Sequence, residues 1–212
     1  SWIYSELRLT YWFGEDISMV EDLMPQNEFV IFTGPMFGGK TTKLLSAIDR
    51  YFLKKTNILC FKPGIDARYG ADQINTHNGG KIPAIRVSIG HEITRHVMDT
   101  KPSMRPSVIA VDEAFMIPGC AESLITQFKQ GRTVLVSSLQ LASTGESLEE
   151  VAKMMPFATK IEICPAVCTV CGSDAYYTTK TGGRPEQEVE VGGLELYQPR
   201  CYRHFDKFGG EA

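Results

Sequence analysis

Phe29-Val30-Ile31-Phe32-Thr33-Gly34-Pro35-Met36-Phe37-Gly38-Gly39-Lys40-Thr41-Thr42 is the stretch from which the rest of the 212-residue chain can be read. Four apolar residues in a row predict a short strand buried on both faces. Gly34 to Thr41 then fits G-x-x-x-x-G-K-[ST] at every fixed position, and a helical pattern follows (Leu44, Leu45, Ile48, Tyr51, Phe52). Strand, glycine-rich turn and helix in that order form the context in which this motif cradles phosphate. The glycines let the backbone turn its N–H groups inward, and the helix N-terminus adds about half a positive charge. Lys40 supplies a full charge to the β- and γ-phosphates, and the Thr41 hydroxyl is placed to bind Mg²⁺. Gly34, Pro35, Met36, Phe37, Gly38, Gly39, Lys40, Thr41 and Thr42 are therefore the candidate ATP-phosphate residues.

Working outward, strand and helix patterns alternate. Asn57–Phe61, Val108–Val111 and Thr133–Val136 read as further buried strands, and Ala121–Lys129 reads as a helix. Residues 63–80, rich in Gly, Asp and Asn, read as a loop. Apolar strands alternating with amphipathic helices imply an α/β fold, with a mostly parallel sheet of the P-loop NTPase kind and helices on both faces. Ligands in such sheets sit at the carboxyl ends of the strands. The expected organisation is an N-terminal extension over residues 1–27, read as a flexible arm, an ATP-binding domain over 28–163, and a small metal-binding unit over 164–212. In that last unit Ala175–Lys180 and Glu186–Val191 alternate and flank a turn-rich Thr181–Pro185, which reads as a hairpin or loop.

Asp112 closes the strand Val108–Val111, where a buried carboxylate is costly unless it meets a cation. Mg²⁺ bridging the phosphates is that cation, so Thr41 and Asp112 are the candidate Mg²⁺ residues; the alternative is a helix N-cap for the segment after Pro118. Glu113 follows directly. Two adjacent carboxylates repel, and the second is proposed as the base that removes the acceptor hydroxyl's proton. Arg68, on the loop after the second strand, would hold the transferring phosphoryl group; the plainer reading is an ion pair with Asp66 or Asp72.

Cys168-x-x-Cys171 and Cys201-x-x-His204 form two short-spaced ligand pairs. Together they predict a closed, structural Cys₃His site for Zn²⁺. Such a site would hold together a unit of about 45 residues, too small to build its own core. Cys164 is a second-choice ligand, and Cys60 and Cys120 read as core residues. His77, His91 and His96 have no ligand spacing.

Composition narrows the class. The net charge is −3, with 43% hydrophobic and 22% charged residues, so neither a disordered chain nor a coiled coil is expected. Residues 1–27 carry five acids and one base, which leaves the remainder near +1, with no basic stripe for a nucleic acid. No apolar run approaches the ~20 residues of a membrane span, and the N-terminus does not read as a signal peptide. Four cysteines clustered in metal-like spacing fit a reducing, cytoplasmic setting.

Taken together, the G-P-M-F-x-G-K-[ST] loop, the Asp66-x-Arg68-Tyr69…Thr76-His77 loop, the strand ending in Asp112-Glu113 and the paired knuckles around a Gly-Gly…Tyr segment resemble the zinc-containing thymidine kinases. The resemblance runs from about Glu28 to Phe208. It implies Mg²⁺-assisted transfer of a phosphoryl group from ATP to the 5′-hydroxyl of thymidine, a salvage step toward DNA synthesis. Glu113 then matches the base, and Arg68 the arginine facing the phosphates. Thr181–Tyr197 matches a lasso that closes over the nucleoside through main-chain hydrogen bonds. Met36, Met116, Thr178, Gly192, Gly193 and Tyr197 become candidate pyrimidine deoxynucleoside residues. The family also implies a homo-oligomer, dimer or tetramer. Departures fall in the nucleoside pocket. Ala114, Phe115 and Met116 follow Asp-Glu where the family has a small residue, Gln and an aromatic, and Gln140 and Ser143 stand where it has an acid and an aromatic. A methyl group discriminates by only about 1–3 kcal/mol, so deoxyuridine is a further expected acceptor. Two readings of other classes stand beside this one: a nucleotide-binding regulatory protein of the same fold without kinase activity, and a zinc-ribbon nucleic-acid binder with an attached ATPase.

Overall fold

The computed structural model describes residues 27–64, 72–75, 81–183 and 192–208. The expectations for residues 1–26, for Arg68 and His77, and for 184–191 of the lasso lie outside the described residues. A six-stranded sheet forms the centre: β1 (Phe29–Thr33), β2 (Ile58–Pro63), β5 (Ile85–Val87), β6 (Val108–Val111), β7 (Thr133–Ser138) and β8 (Lys160–Ile163). Its order is β5-β2-β6-β7-β1-β8, and every neighbouring pair is parallel.

Alternation along the strands divides the core in two. Phe29, Ile31, Phe61, Ile109, Val111, Val134 and Val136 face one side. They are covered by α2 (Gly90–Asp99), α3 (Cys120–Lys129) and α4 (Glu149–Met154) through Ile93, Val97, Leu124, Val151 and Met154. Val30, Phe32, Cys60, Val108, Ala110 and Leu135 face the other side, under Leu44, Leu45 and Ile48 of α1 (Lys40–Leu53). Phe52, expected on that apolar face, is instead half exposed near the helix end.

Three sequence expectations change. The 63–80 loop contains β3 (Gln73–Asn75), which pairs antiparallel with β4 (Lys81–Pro83) and lays Ile74 and Ile82 into the α1-side core. In the C-terminal unit the alternating stretch divides into β10 (Asp174–Ala175), paired with β9 (Ala166–Val167), and β11 (Tyr177–Lys180). The partner of β11 is β12 (Tyr197–Arg200), with Tyr177 opposite Arg200 and Lys180 opposite Tyr197, so the hairpin closes farther along the chain than the alternation predicts. Asp112 caps no helix: α3 starts after Gly119, and the Glu150 carboxylate accepts from the Gly119 and Ala121 N–H groups at 2.8 and 2.7 Å.

Candidate active site

The carboxyl ends of β1, β6 and β7 meet below the N-terminus of α1, and the charged residues converge there. Lys40 is the first residue of α1 and is buried. Its Nζ donates to the Pro35 carbonyl at 2.6 Å. Burial pushes its ammonium below the usual value of 10.5, opposed by the nearby carboxylates of Glu113 and then Asp112. Such a cation, half-compensated by protein acids, is primed for polyanion contact.

The Thr41 hydroxyl donates to Asp112 Oδ1 at 3.1 Å, across 71 residues of sequence. Asp112 is buried at the end of β6, and its backbone N–H is held by the Phe61 carbonyl at 3.0 Å. A hydroxyl and a carboxylate side by side are hard oxygen donors of the kind that suits Mg²⁺, and both could contribute to its shell. Glu113 follows in the left-handed backbone region, φ 50 and ψ 45. A residue with a side chain held there is strained, by about 1–3 kcal/mol, and such strain concentrates at functional sites. The turn Ala114–Met116 comes next, with Ala114 buried and Met116 partly exposed.

The phosphate loop is shaped as much by the C-terminal unit as by its own glycines. Cys164 follows β8 directly, and its N–H donates to the Thr33 carbonyl at 2.7 Å. Its own carbonyl oxygen lies where a Cβ on Gly34 or Gly38 would come within 2.3 or 2.2 Å. Gly39, by contrast, has open space around it but stands at φ +77, as the residue before α1. The Met36 N–H donates to Thr178 Oγ1 at 2.9 Å, and Thr178 is buried on β11. Phe37, at φ 65, packs against Ala166, Cys168, Ala175 and Cys201.

The proposed metal ligands are brought together. One ligand atom from each of Cys168, Cys171, Cys201 and His204 lies within 4.8 Å of all the others. Cys171 Sγ and Cys201 Sγ are 3.7 Å apart, and His204 Nδ1 is 3.2 Å from Cys201 Sγ and 3.7 Å from Cys168 Sγ. For Zn–S bonds of about 2.3 Å a tetrahedron has edges of about 3.8 Å, so the four donors fit Zn²⁺. Burial pushes the Cys168 thiol up, but N–H groups of Cys201, Val170 and Cys171 more than offset it and hold it at about 6. That favours the thiolate a metal needs. Cys164, the second-choice ligand, is not in the cluster. Cys60 and Cys120 are buried in the two cores, and desolvation pushes the Cys60 thiol up to about 12.

Of the nucleoside candidates, Met36 and Thr178 touch, Tyr197 is buried on β12 opposite Lys180, and Gly192 and Gly193 lead into the turn before it. Leu196 and Tyr197 N–H groups both donate to the Gly193 carbonyl at 3.0 Å. Gln140 Nε2 donates to the Tyr176 carbonyl at 3.1 Å and ties the segment after β7 to this unit. Sequence reading missed the roles of Cys164, Phe37 and Gln140; a glycine at 38 beside the required Gly39 was the only signal available for the first.

A family model described as thymidine kinase matches residues 27–205. A thymidine kinase of Pyrobaculum aerophilum is 35% identical over 184 residues, 83% of this chain and 97% of that protein. A thymidine kinase of Thermococcus kodakarensis is 31% identical over 191 residues, 87% of this chain and 97% of that protein.

Proposed function

Because the chain belongs to the thymidine kinase family, we propose how its residues divide the work of phosphorylating thymidine with ATP. The enzyme is a phosphotransferase with a hydroxyl acceptor. On this reading residues 28–163 bind ATP, and residues 164–212 hold zinc and close over the nucleoside. The backbone of Gly34–Gly39 and the Lys40 ammonium receive the phosphates, with Thr42 in the same turn. Thr41 and Asp112 would hold Mg²⁺, which when bound neutralises charge on the phosphates. Glu113 takes the proton from the 5′-hydroxyl as that oxygen attacks the γ-phosphorus and the bond from the γ-phosphorus to the β,γ-bridging oxygen breaks, which releases ADP. Arg68 is assigned to the phosphoryl group on the resemblance alone. Met36, Met116, Thr178, Gly192, Gly193 and Tyr197 line the pyrimidine deoxynucleoside, and deoxyuridine is a further acceptor.

The observation that carries this reading is the convergence on one sheet rim of Lys40, the Thr41–Asp112 pair and Glu113, which is the largest opposite charge acting on Lys40. The test is Glu113→Gln, assayed with Mg-ATP and a nucleoside panel. We expect kcat to fall about 10²–10⁴-fold with ATP affinity within twofold of wild type, since only proton transfer is lost. A Gln variant that turns over normally removes Glu113 from this role. A homo-oligomer in the cytoplasm belongs to the same proposal. Among the described residues the cysteines are unpaired and no helix is long and apolar enough to cross a membrane, and light scattering tests the assembly.

A further inference from the structure

We propose that Phe37 is a positioning residue that couples the zinc knuckles to the phosphate loop, so that zinc and ATP each strengthen the binding of the other. This rests on the assignment of Gly34–Thr41 as the ATP site.

Three contacts fasten the loop to the C-terminal unit. The Phe37 side chain lies on Ala166, Cys168, Ala175 and Cys201, two of which are proposed zinc ligands. The Met36 N–H donates to Thr178 Oγ1 at 2.9 Å. The Cys164 carbonyl fills the space beside Gly34 and Gly38. Among the described residues the knuckle cluster has these four small buried residues, and Phe37 is the largest apolar group packed on it. A small apolar cluster of this kind is under-supplied with burial and leans on its metal. Phe37 also sits at φ 65, a conformation unfavourable for an aromatic residue. The loop keeps that strain because the ring has somewhere to go. When zinc orders Cys168 and Cys201, the ring's seat is formed and the neighbouring N–H groups stay turned inward. When phosphate orders those N–H groups, the ring is held on the knuckle. Linkage then requires equal factors in both directions.

The coupling is read from zinc, not from turnover. Zinc-loaded protein is titrated to equilibrium with a competing chromogenic chelator, and zinc release is followed with and without saturating Mg-ATP. Thymidine is absent, so closure over the nucleoside plays no part. In wild type we expect Mg-ATP to tighten zinc binding about fivefold or more, within the usual range of coupling between sites. Phe37→Gly removes both ring and backbone strain, Phe37→Ala removes the ring alone, and Phe37→Leu keeps an apolar group on the knuckle. The ATP effect on release should vanish in the Gly and Ala variants and return in large part in Leu. Circular dichroism checks that each variant is folded, and a variant that is not folded is replaced by comparison of wild type with Phe37→Leu and Phe37→Met. Mg-ATP affinity is titrated separately. Wild-type protein that binds Mg-ATP but holds zinc with unchanged affinity overturns the coupling while leaving the ATP site intact. Failure to bind Mg-ATP at all would instead overturn the assignment on which the coupling rests.

Discussion

Substituting Gly38 by alanine tests the wedge between the phosphate loop and Cys164. The new Cβ would meet the Cys164 carbonyl oxygen at 2.2 Å, whereas ordinary contact begins near 3.4 Å, so the two must separate by about 1.2 Å. The obstacle is backbone and cannot rotate away. Cys164 is tied to the end of β1 through its N–H, and β8 precedes it. Gly38 itself does not need a left-handed φ, so the strain is wholly one of space. Overpacking of this kind costs about 1–3 kcal/mol of stability. For a chain this long that lowers Tm by roughly 2–12 °C. A loop displaced by about 1 Å costs about 10²-fold in rate. Gly39→Ala is the control: nothing lies near its Cβ, and its cost is the left-handed φ of +77, about 1–2 kcal/mol. The assays are scanning fluorimetry and kcat/KM with ATP varied. Both variants should lose stability, but Gly38→Ala should lose more in kcat/KM for ATP. A Gly38→Ala enzyme within threefold of wild type in that quantity would refute the wedge.

Two further expectations follow. Thr178→Val keeps the side-chain shape but leaves the Met36 N–H without its 2.9 Å acceptor, which should cost about 1–3 kcal/mol in urea unfolding; an unchanged midpoint would mean another group takes the N–H. The Glu162 carboxyl is held below the usual range by hydrogen bonding to Lys43 and then Lys160, and that of Glu92 chiefly by the Ser88 N–H. Their folded values lie below 4.5, so their stabilisation is present above it and is lost as pH falls through the folded values. Lys43→Met should therefore shrink the drop in Tm between about pH 6 and pH 3, and an unchanged drop would show that the pair contributes nothing.

How much of this was legible depended on periodicity and spacing. β1, β6 and β7 carry unbroken apolar runs (Phe29–Phe32, Val108–Val111 and Val134–Val136) because they are covered on both faces, and such runs stand out. β8 does not: Lys160-Ile161-Glu162-Ile163 is an edge strand with Ile161 and Ile163 left partly exposed, so its sequence resembles a surface segment. β5 has three residues, too few to show a period. That β12 pairs with β11 does not show in the sequence, because Tyr197–Arg200 carries a proline and alternation alone does not say which strands pair. At the site, Lys40, Thr41, Asp112 and the four metal ligands were readable because chemistry fixes their type and spacing. Cys164 and Phe37 act through a carbonyl and a packed ring, and neither leaves a motif.

The missed contacts change how the two halves of the site relate. From sequence alone, loss of zinc should disturb the lasso first and the ATP loop last, because the ligands flank the former. In the structure the unit that carries the knuckles also packs on the Gly34–Thr41 loop. Two residues, Cys164 and Pro165, separate the end of β8 from β9, a span of at most about 11 Å from the Cα of Ile163 to that of Ala166, so the knuckles cannot lie far from the sheet edge beside the loop. The loop meets both pairs of C-terminal strands there: its Phe37 packs on Ala166 of β9 and Ala175 of β10, and its Met36 N–H donates to Thr178 of β11, the partner of β12. A shared wall of this kind couples donor and acceptor sites. Perturbing the knuckles should then raise the KM for ATP together with that for the nucleoside, and a variant such as Cys201→Ser that raised only the nucleoside KM would restore the order expected from sequence.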